Sequence, residues 1–205
     1  EMRPTVQNIP FLTALANLVE ADTKIYFVAS DRIEDIDSED INTSFFYNAF
    51  YSGLDHTVTF WHHQASAFVE CYYVGYNAPF DAGTVTWCNL RVNGLPPSSQ
   101  PNNTSKPLTT TQIGRLMDRK ANFIQRDAGV NVIRIGTVAS GEWIDTIRGV
   151  HWLTEDMTVA IKSLLFNQKG KKIPYTNQGI AQVREVIASS LQRAVNRTFL
   201  SSYTI

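Results

Sequence analysis

The stretch HTVTFWHHQASAFVECYYVGYN, residues 56–77, decides the fold class. Its first part, residues 56–63, alternates apolar and polar side chains in the manner of a β-strand. Its second part, residues 64–77, changes to the spacing of a helix, carried by Phe68, Cys71, Tyr72 and Gly75. A strand that passes directly into a helix is the repeating unit of an α/β layer.

The residues before this stretch show the same alternation. Pro10 begins an amphipathic helix, FLTALANLVEAD, because its missing N–H costs nothing in a first turn. KIYFVAS, residues 24–30, is β-branched and aromatic and predicts a largely buried strand. The acidic residues 31–42 carry too little apolar surface for a core element, and a second helix is predicted from Ile41 to Tyr51.

The residues after this stretch predict further strands and one more helix. TVTWCNLRV, residues 84–92, is typical of a strand, and the proline-rich residues 93–107 predict an exposed loop suited to a specific contact. Thr109 to Thr111 cap a helix. Residues 123–141 predict a hairpin that turns at Asp127-Ala128-Gly129.

Extended chain then gives way to helices. EWIDTIRGV, residues 142–150, predicts a third extended piece that closes the sheet through Trp143, Ile144 and Ile147, with Gly149 as its break. Apolar residues recur at helical spacing from Val150, and Gly170 is a predicted stop. The stripe of a last long helix is Ile180, Val183, Ile187, Leu191, Val195 and Phe199.

Together these segments predict an α/β (α+β) fold, with a mixed β-sheet, helices packed on its faces and two long helices at the end. The composition changes near residue 137. We therefore expect an α/β core subdomain over residues 1–136 and a strand plus paired helices over residues 137–205, unless the chain is one compact unit.

Composition excludes several classes of function. The 205 residues include 18 Lys and Arg against 19 Asp and Glu, a net charge of -1, which gives no electrostatic reason to expect nucleic acid or an anionic membrane as partner. No run approaches the roughly 20 apolar residues of a membrane-spanning helix, and no secretory signal is present, so we expect a soluble protein made in a cytoplasm. Cys71 and Cys88 lie among apolar neighbours, which predicts buried thiols.

Three residue sets could carry chemistry, and each lacks a necessary feature. His62 and His63 are adjacent on a predicted strand, so they point to opposite faces and cannot easily share a metal ion. Ser140, Asp145 and His151 are the residue types of a nucleophilic triad, but Ser140 is in no Gly-x-Ser-x-Gly elbow. GTVASG, residues 136–141, lacks the Gly-Lys-Ser/Thr ending of a nucleotide loop. We therefore predict no catalytic, cofactor or metal site.

A basic cluster separates the last two predicted helices. Lys169, Lys171 and Lys172 follow the first of them, where positive charge complements the helix C-terminal dipole. A turn of this kind is usually solvated. The alternative is a docking surface for an acidic partner.

The order of features from residue 122 onward resembles a known family. Asn122-Phe123 leads into the hairpin, Gly-Thr follows at 136–137, Gly-x-Trp-Ile-Asp at 141–145, and Ile-Pro-Tyr-Thr-x-x-Gly-Ile at 173–180 joins two helices. This order resembles the tail sheath proteins of contractile-tailed bacteriophages, in their divergent sheath-like branch. The resemblance covers residues 24–200.

The resemblance implies a mechanical role without catalytic residues or cofactors. Sheath subunits stack in rings around a tail tube, assemble in an extended state in the host cytoplasm, and contract on a baseplate signal as part of the virion. The implied partners are other sheath subunits, the tube and the baseplate, with Lys169, Lys171 and Lys172 as a possible tube-docking surface. The family's terminal arms are not recognisable, so we expect a core fragment that is monomeric in solution.

Two other classes of protein stay open. One is an enzyme-like α/β domain that uses Asp145 and His151, which would have to converge in a pocket. The other is a surface glycan-binding domain in which tryptophans act as stacking platforms. A sheath core is expected instead to bury Trp143 and Trp152.

Overall fold

The computed structural model describes residues 5, 8–167 and 172–204. Within these residues the chain forms two compact units. The first unit holds the residues up to Pro79 and Thr86–Ile144, and the second holds Phe80–Val85 and the residues from Asp145 onward. The last boundary between the two compact units lies after Ile144. The division into domains 1–136 and 137–205 stays a prediction.

The elements of the first unit alternate between helices and strands. In chain order they are α1 Ile9–Glu20, β1 Tyr26–Ser30, α2 Glu34–Asp37, α3 Phe45–Tyr51, β2 Thr57–Trp61, a 3-10 turn Ala65–Ala67, α4 Val69–Asn77, β3 Leu90–Val92, β4 Ser99–Gln100, β5 Asn103–Pro107, α5 Thr110–Asp118, β6 Asn122–Asp127 and β7 Val130–Arg134. Two long helices follow, α6 Ile144–Phe166 and α7 Asn177–Asn196. They make up most of the second unit.

The sheet of the first unit has five strands in the order β1-β2-β6-β7-β3. β1 pairs with β2, and β2 with β6, in parallel, whereas β6–β7 and β7–β3 are antiparallel. The predicted fold class, a mixed sheet with helices and two long helices at the end, is confirmed.

Helices cover both faces of this sheet because neighbouring residues of each strand point to opposite sides. On one face, Val28, Trp61 and Phe123 join a buried cluster with residues of α1, α2, α3 and α5. On the other face Tyr73 of α4 packs edge-on against Phe60, with ring centroids 5.6 Å apart.

Asn122 ties the parallel and antiparallel halves of the sheet together. Its Nδ2 donates to the carbonyl of Thr59 at 3.1 Å and to that of Thr137 at 2.9 Å, and its Oδ1 accepts from the N–H of Gly136 at 2.7 Å. Gly136 has a φ of +81°, and a Cβ there would lie 2.7 Å from the backbone nitrogen of Cys88. The Asn-Phe and Gly-Thr motifs are therefore parts of one buried junction.

The composition of the acidic segment, residues 31–42, predicts that it lies outside the core, and this prediction is wrong. Asp35 and Ile36 of α2 are completely buried. The hydroxyls of Ser30 and Ser44 donate to the Asp35 carboxylate, and Arg119 donates to its backbone carbonyl at 2.7 Å. Burial raises the pKa of Asp35, against the opposing effects of these hydroxyls and of nearby positive charge. These hydrogen bonds compensate the cost of removing the Asp35 carboxylate from water, while Ile36 contributes apolar surface to the core cluster.

Two of the predicted extended segments are wrong. Of residues 84–92 only Leu90–Val92 forms a strand; Asn89 adopts a left-handed backbone with a φ of 56°, and Trp87 packs on Tyr73 with centroids 5.0 Å apart. Of residues 142–150, those from Ile144 onward are helical, and extended pairing is limited to a bridge between Thr137 and Trp143.

Other local predictions have mixed outcomes. Thr109 caps α5 through a capping box with Gln112, and the hairpin between β6 and β7 turns where expected. The loop over residues 93–107 contains a small antiparallel pair, β4 and β5. The prediction of two buried thiols is wrong, since Cys71 is exposed and Cys88 is half-buried.

Candidate assembly surfaces

The two long helices of the second unit are joined by a charged contact. Arg193 on α7 donates to both carboxylate oxygens of Asp156 on α6, with Nη2 2.7 Å from Oδ2 and Nε 3.2 Å from each oxygen. Partial desolvation opposes ionisation of Asp156, but the hydrogen bonds from Arg193 and Ser190 and the charge of Arg193 and Arg197 lower its pKa below the ordinary value. The pair fixes the alignment of α6 with α7.

An arginine and an aromatic ring make a second contact in this unit. The guanidinium of Arg197 lies over the indole of Trp152, 4.2 Å from its centroid, and forms an ion pair with Asp81 at 3.4 Å. This arrangement attaches the short segment Phe80–Val85 to the C-terminal end of α7. Trp152 is half-buried as a result, not fully buried as expected of a sheath core.

Gly149 is the point where α6 meets the end of the chain. It lies inside the helix, and a Cβ at this position would come 2.2 Å from the ring of Phe199. The prediction that Gly149 breaks the chain before the helix is therefore wrong. The glycine permits a close approach of Phe199 instead of a change in backbone direction.

An apolar groove of about 640 Å³ runs along α7 and the residues just before it. Its lining is Ile173, Pro174, Tyr175, Gly179, Ile180, Val183, Arg184 and Ile187. Tyr175 at its margin is fully exposed, and the side chain of Ile180 is 60% exposed. Monomeric soluble proteins rarely expose contiguous apolar surface of this kind, and where it occurs it usually marks a contact site.

Helix α6 also presents apolar side chains to solvent. Phe166 is 78% exposed, and Val159, seven residues earlier, is about half exposed. Residues seven apart lie on one helix face. The sequence analysis does not identify this face or the groove: the stripe of Ile180, Val183 and Ile187 predicts a helix and does not show what covers its apolar side.

The predicted lysine surface is only partly described. Lys172 is exposed, as a docking or solvated residue would be. Lys169 and Lys171 lie outside the described residues. The role of these three lysines stays a prediction.

The structure does not bring the candidate catalytic residues together. Asp145 is in the first turn of α6 and His151 lies six residues later, so the two side chains point about 120° apart around the helix axis. Ser140 belongs to the first unit, where its Oγ accepts from the N–H of Glu142 at 3.5 Å. The geometry gives no support to an enzyme-like site at Asp145 and His151.

Two of the surface cavities in the first unit lie beside residues that the sequence analysis discusses, His63 and Trp143. One, of about 650 Å³, lies beside His63, the segment Pro96–Ser99 and β6. Another, of about 630 Å³, is lined by Trp143 with Asn89, Gln125 and Arg134. Trp143 is 49% exposed, so the expectation that it is buried is wrong.

The described residues contain no group of three or more His, Cys, Asp or Glu side chains arranged to hold a metal ion. In the same part of the chain, none of the helices combines the length and apolar character needed to cross a membrane.

Among the described residues, exposed apolar helix faces occur together with candidate catalytic residues that do not converge. Residues 144–202 match the family described as E217 tail sheath protein gp31-like, C-terminal domain. The match agrees with the resemblance found in the sequence: over these residues the chain is similar to a phage tail sheath protein. A search of curated proteins found no match.

Proposed function

We propose that this chain is a subunit of a contractile phage tail sheath, which polymerises around the tail tube and contracts to drive the tube through the host envelope. The observation that carries the proposal is the family match over residues 144–202. The exposed apolar groove beside Tyr175 supports it, because an assembling subunit needs surface that only its neighbours cover.

The proposal has further parts that follow from a sheath role. Neighbouring sheath subunits are the first partners, and the tube and the baseplate are the others. Assembly takes place in the cytoplasm of the bacterial host. The chain has a mechanical role and catalyses no reaction, in keeping with the separation of Asp145 and His151 around α6.

Electron cryomicroscopy of tails from the phage that encodes this chain tests the proposal. We expect both compact units to fit into the layer that surrounds the tube, in one repeated position per subunit. Contracted tails should show the same units after rotation and outward movement. A sheath layer that cannot accommodate α6 and α7 would contradict the proposal.

We propose in addition that Lys169, Lys171 and Lys172 contact the tube. Their closeness in sequence and the exposure of Lys172 support a docking role. Charge reversal of all three to Glu should abolish sheath assembly on purified tubes. Reversal of Lys106, an exposed lysine of β5 in the first unit, is the control. Equal assembly by both variants would remove the lysines from the tube interface.

A second candidate function is glycan binding at Trp143. The exposed indole lines a groove with Asn89, Gln125 and Arg134, and the Arg134 Nη1 donates to the Asn89 Oδ1 at 2.8 Å. A flat aromatic surface beside fixed polar groups suits a sugar ring. A glycan array with the wild type and Trp143→Ala tests this candidate: binding that disappears in the variant supports it, and no binding by the wild type rejects it.

A further inference from the structure

Two adjacent imidazoles follow the end of β2. His62 is completely buried, His63 is half-buried, and their ring centroids are 4.5 Å apart. They lie just after the strand rather than within it. The two rings therefore do not point to opposite faces, contrary to the sequence-based expectation.

The hydrogen bonds require both rings to be neutral. The Nδ1 of His62 accepts from the N–H of Gln64 at 3.1 Å, and the Nδ1 of His63 accepts from the N–H of Ser99 at 3.1 Å. A nitrogen that accepts from an N–H cannot carry a proton itself. In His62 the proton is thus on Nε2, which donates to the carbonyl of Pro96 at 3.0 Å.

These bonds hold the segment Pro96–Ser99 against the sheet. Ser98 is attached independently of pH, since its N–H donates to the Ile124 carbonyl at 2.8 Å and its Oγ accepts from the Ile124 N–H at 3.1 Å. On either side, Pro96 accepts from the His62 Nε2–H, which is present in the neutral and the protonated ring, whereas the Ser99 bond depends on a neutral His63. Ser99 begins β4, so its attachment also positions the β4–β5 pair.

Among the described residues, the lining of the cavity beside His63 provides no counter-ion for a protonated ring. The cavity beside His63 is lined by one charged side chain, that of Arg126 on β6, and by no carboxylate. Beyond the end of β1, Arg32 and Glu34 form an ion pair with each other at 3.4 Å. Burial lowers the pKa of both histidines, and the neighbouring His62 lowers that of His63 further.

We propose that His63 forms an acid-sensitive latch that holds Ser99, and through Ser99 the β4–β5 pair, on the sheet only while its imidazole is neutral. Protonation of the His63 Nδ1 places an N–H opposite the N–H of Ser99 and breaks that bond. Protonation of His62 breaks the bond from Gln64 but keeps the bond from Nε2–H to the Pro96 carbonyl, so the opening is confined to the Ser99 side. The proposal is independent of sheath assembly.

The pH dependence has a definite direction. A histidine whose folded-state pKa is lowered contributes its full stability above the ordinary value of 6.5 and loses it as the pH falls toward the lowered value. We therefore expect the latch to be closed at pH values above about 6.5 and to open progressively below.

Amide hydrogen exchange and imidazole titration by NMR on the chain test this latch. As the His63 resonance titrates, exchange of the Ser99 amide, corrected for its intrinsic pH dependence, should accelerate about fivefold or more, the effect of one lost hydrogen bond. Protection of the Ser98 and Phe123 amides should stay constant, which separates latch opening from global unfolding.

Two variants sharpen the test. His63→Asn places an amide oxygen where Nδ1 accepts and cannot titrate, so its Ser99 protection should be independent of pH. His63→Ala should lack Ser99 protection at every pH. Constant Ser99 protection while the wild-type imidazole titrates, or the same pH dependence in wild type and His63→Asn, would overturn the proposal.

Discussion

At the scale of single residues, buried polar groups and tight glycines decide which backbone paths meet. Asn122 satisfies three backbone groups on different segments, and Gly136 lets the chain pass against the backbone of Trp87 and Cys88. In the sequence, Asn122 and Gly136 are recognisable only as parts of the Asn-Phe and Gly-Thr motifs, and the contacts that they make are not. A motif identifies residue types in order, whereas hydrogen-bond partners distant in sequence are fixed only by the tertiary fold.

Gly136→Ala should destabilise the first unit strongly. The new Cβ meets backbone atoms 2.7–2.9 Å away, which cannot move like a flexible side chain, and the φ of +81° adds strain. We expect a loss of about 3 kcal/mol or more in the free energy of unfolding, measured by chemical denaturation.

Gly94→Ala is the matched control for this prediction. Its φ is +86°, but nothing lies within 4 Å of the added Cβ. Gly94→Ala should lower the free energy of unfolding by only about 1–2 kcal/mol, the cost of a side chain in the left-handed backbone conformation. Equal losses in the two variants would show that the close approach at Gly136 has no energetic consequence.

At the scale of elements, the sequence predicted most helices and strands but misplaced those whose boundaries depend on distant contacts. α1, α5 and the β6–β7 hairpin have local signals in a proline, a capping box and a two-residue turn. The start of α6 was predicted too late, because Trp, Ile and Thr favour strands and Gly149 weakens a helix. Packing against Phe199 outweighs these propensities.

The Asp156–Arg193 contact between α6 and α7 should make the second unit sensitive to acid. The pKa of Asp156 is lowered in the folded state, so its contribution is complete above the ordinary value of 3.8 and is lost as the pH falls through the folded pKa. Asp156→Asn should cost about 0.5–1 kcal/mol at neutral pH, as partly exposed ion pairs do.

Denaturation followed by far-ultraviolet circular dichroism at several pH values checks this prediction. The difference between wild type and Asp156→Asn should shrink below pH of about 4. Glu155→Gln, a change at the exposed neighbouring position, should leave stability unchanged. A difference between wild type and Asp156→Asn that persists in strong acid would contradict an electrostatic origin.

At the scale of the whole molecule, the sequence predicted the α+β class and the sheath resemblance, but not the surfaces. Hydrophobic periodicity marks the apolar side of a helix and does not distinguish an internal neighbour from a second subunit. The stripe of Ile180, Val183 and Ile187 therefore predicts a helix without showing what covers it. Trp143 is expected to be buried in a strand, whereas in the structure it lies just before the start of α6 and is 49% exposed.

The apolar surface of the second unit should control assembly more than stability. The double variant Phe166→Ser, Tyr175→Ser changes two strongly exposed side chains, so the free energy of unfolding should change by less than about 0.5 kcal/mol each. Sedimentation of mixtures with tail tubes should show a loss of sheath assembly, since the contacts between subunits lose their apolar anchors.

Tyr51→Ser provides the comparison on the first unit, where Tyr51 is 72% exposed. It should leave assembly intact. Normal assembly of the Phe166→Ser, Tyr175→Ser variant would exclude this surface from the contacts between subunits.

The contact of Arg197 with Trp152 also provides an optical label. Of the four tryptophans in the chain, Trp152 alone belongs to the second unit, and its indole lies beneath a guanidinium that is held in turn by Asp81. Separation of α7 from α6 removes that cation from the ring and changes the emission of a single fluorophore. With the other three tryptophans replaced by Phe, the fluorescence emission of Trp152 reports in real time whether α6 and α7 are in contact.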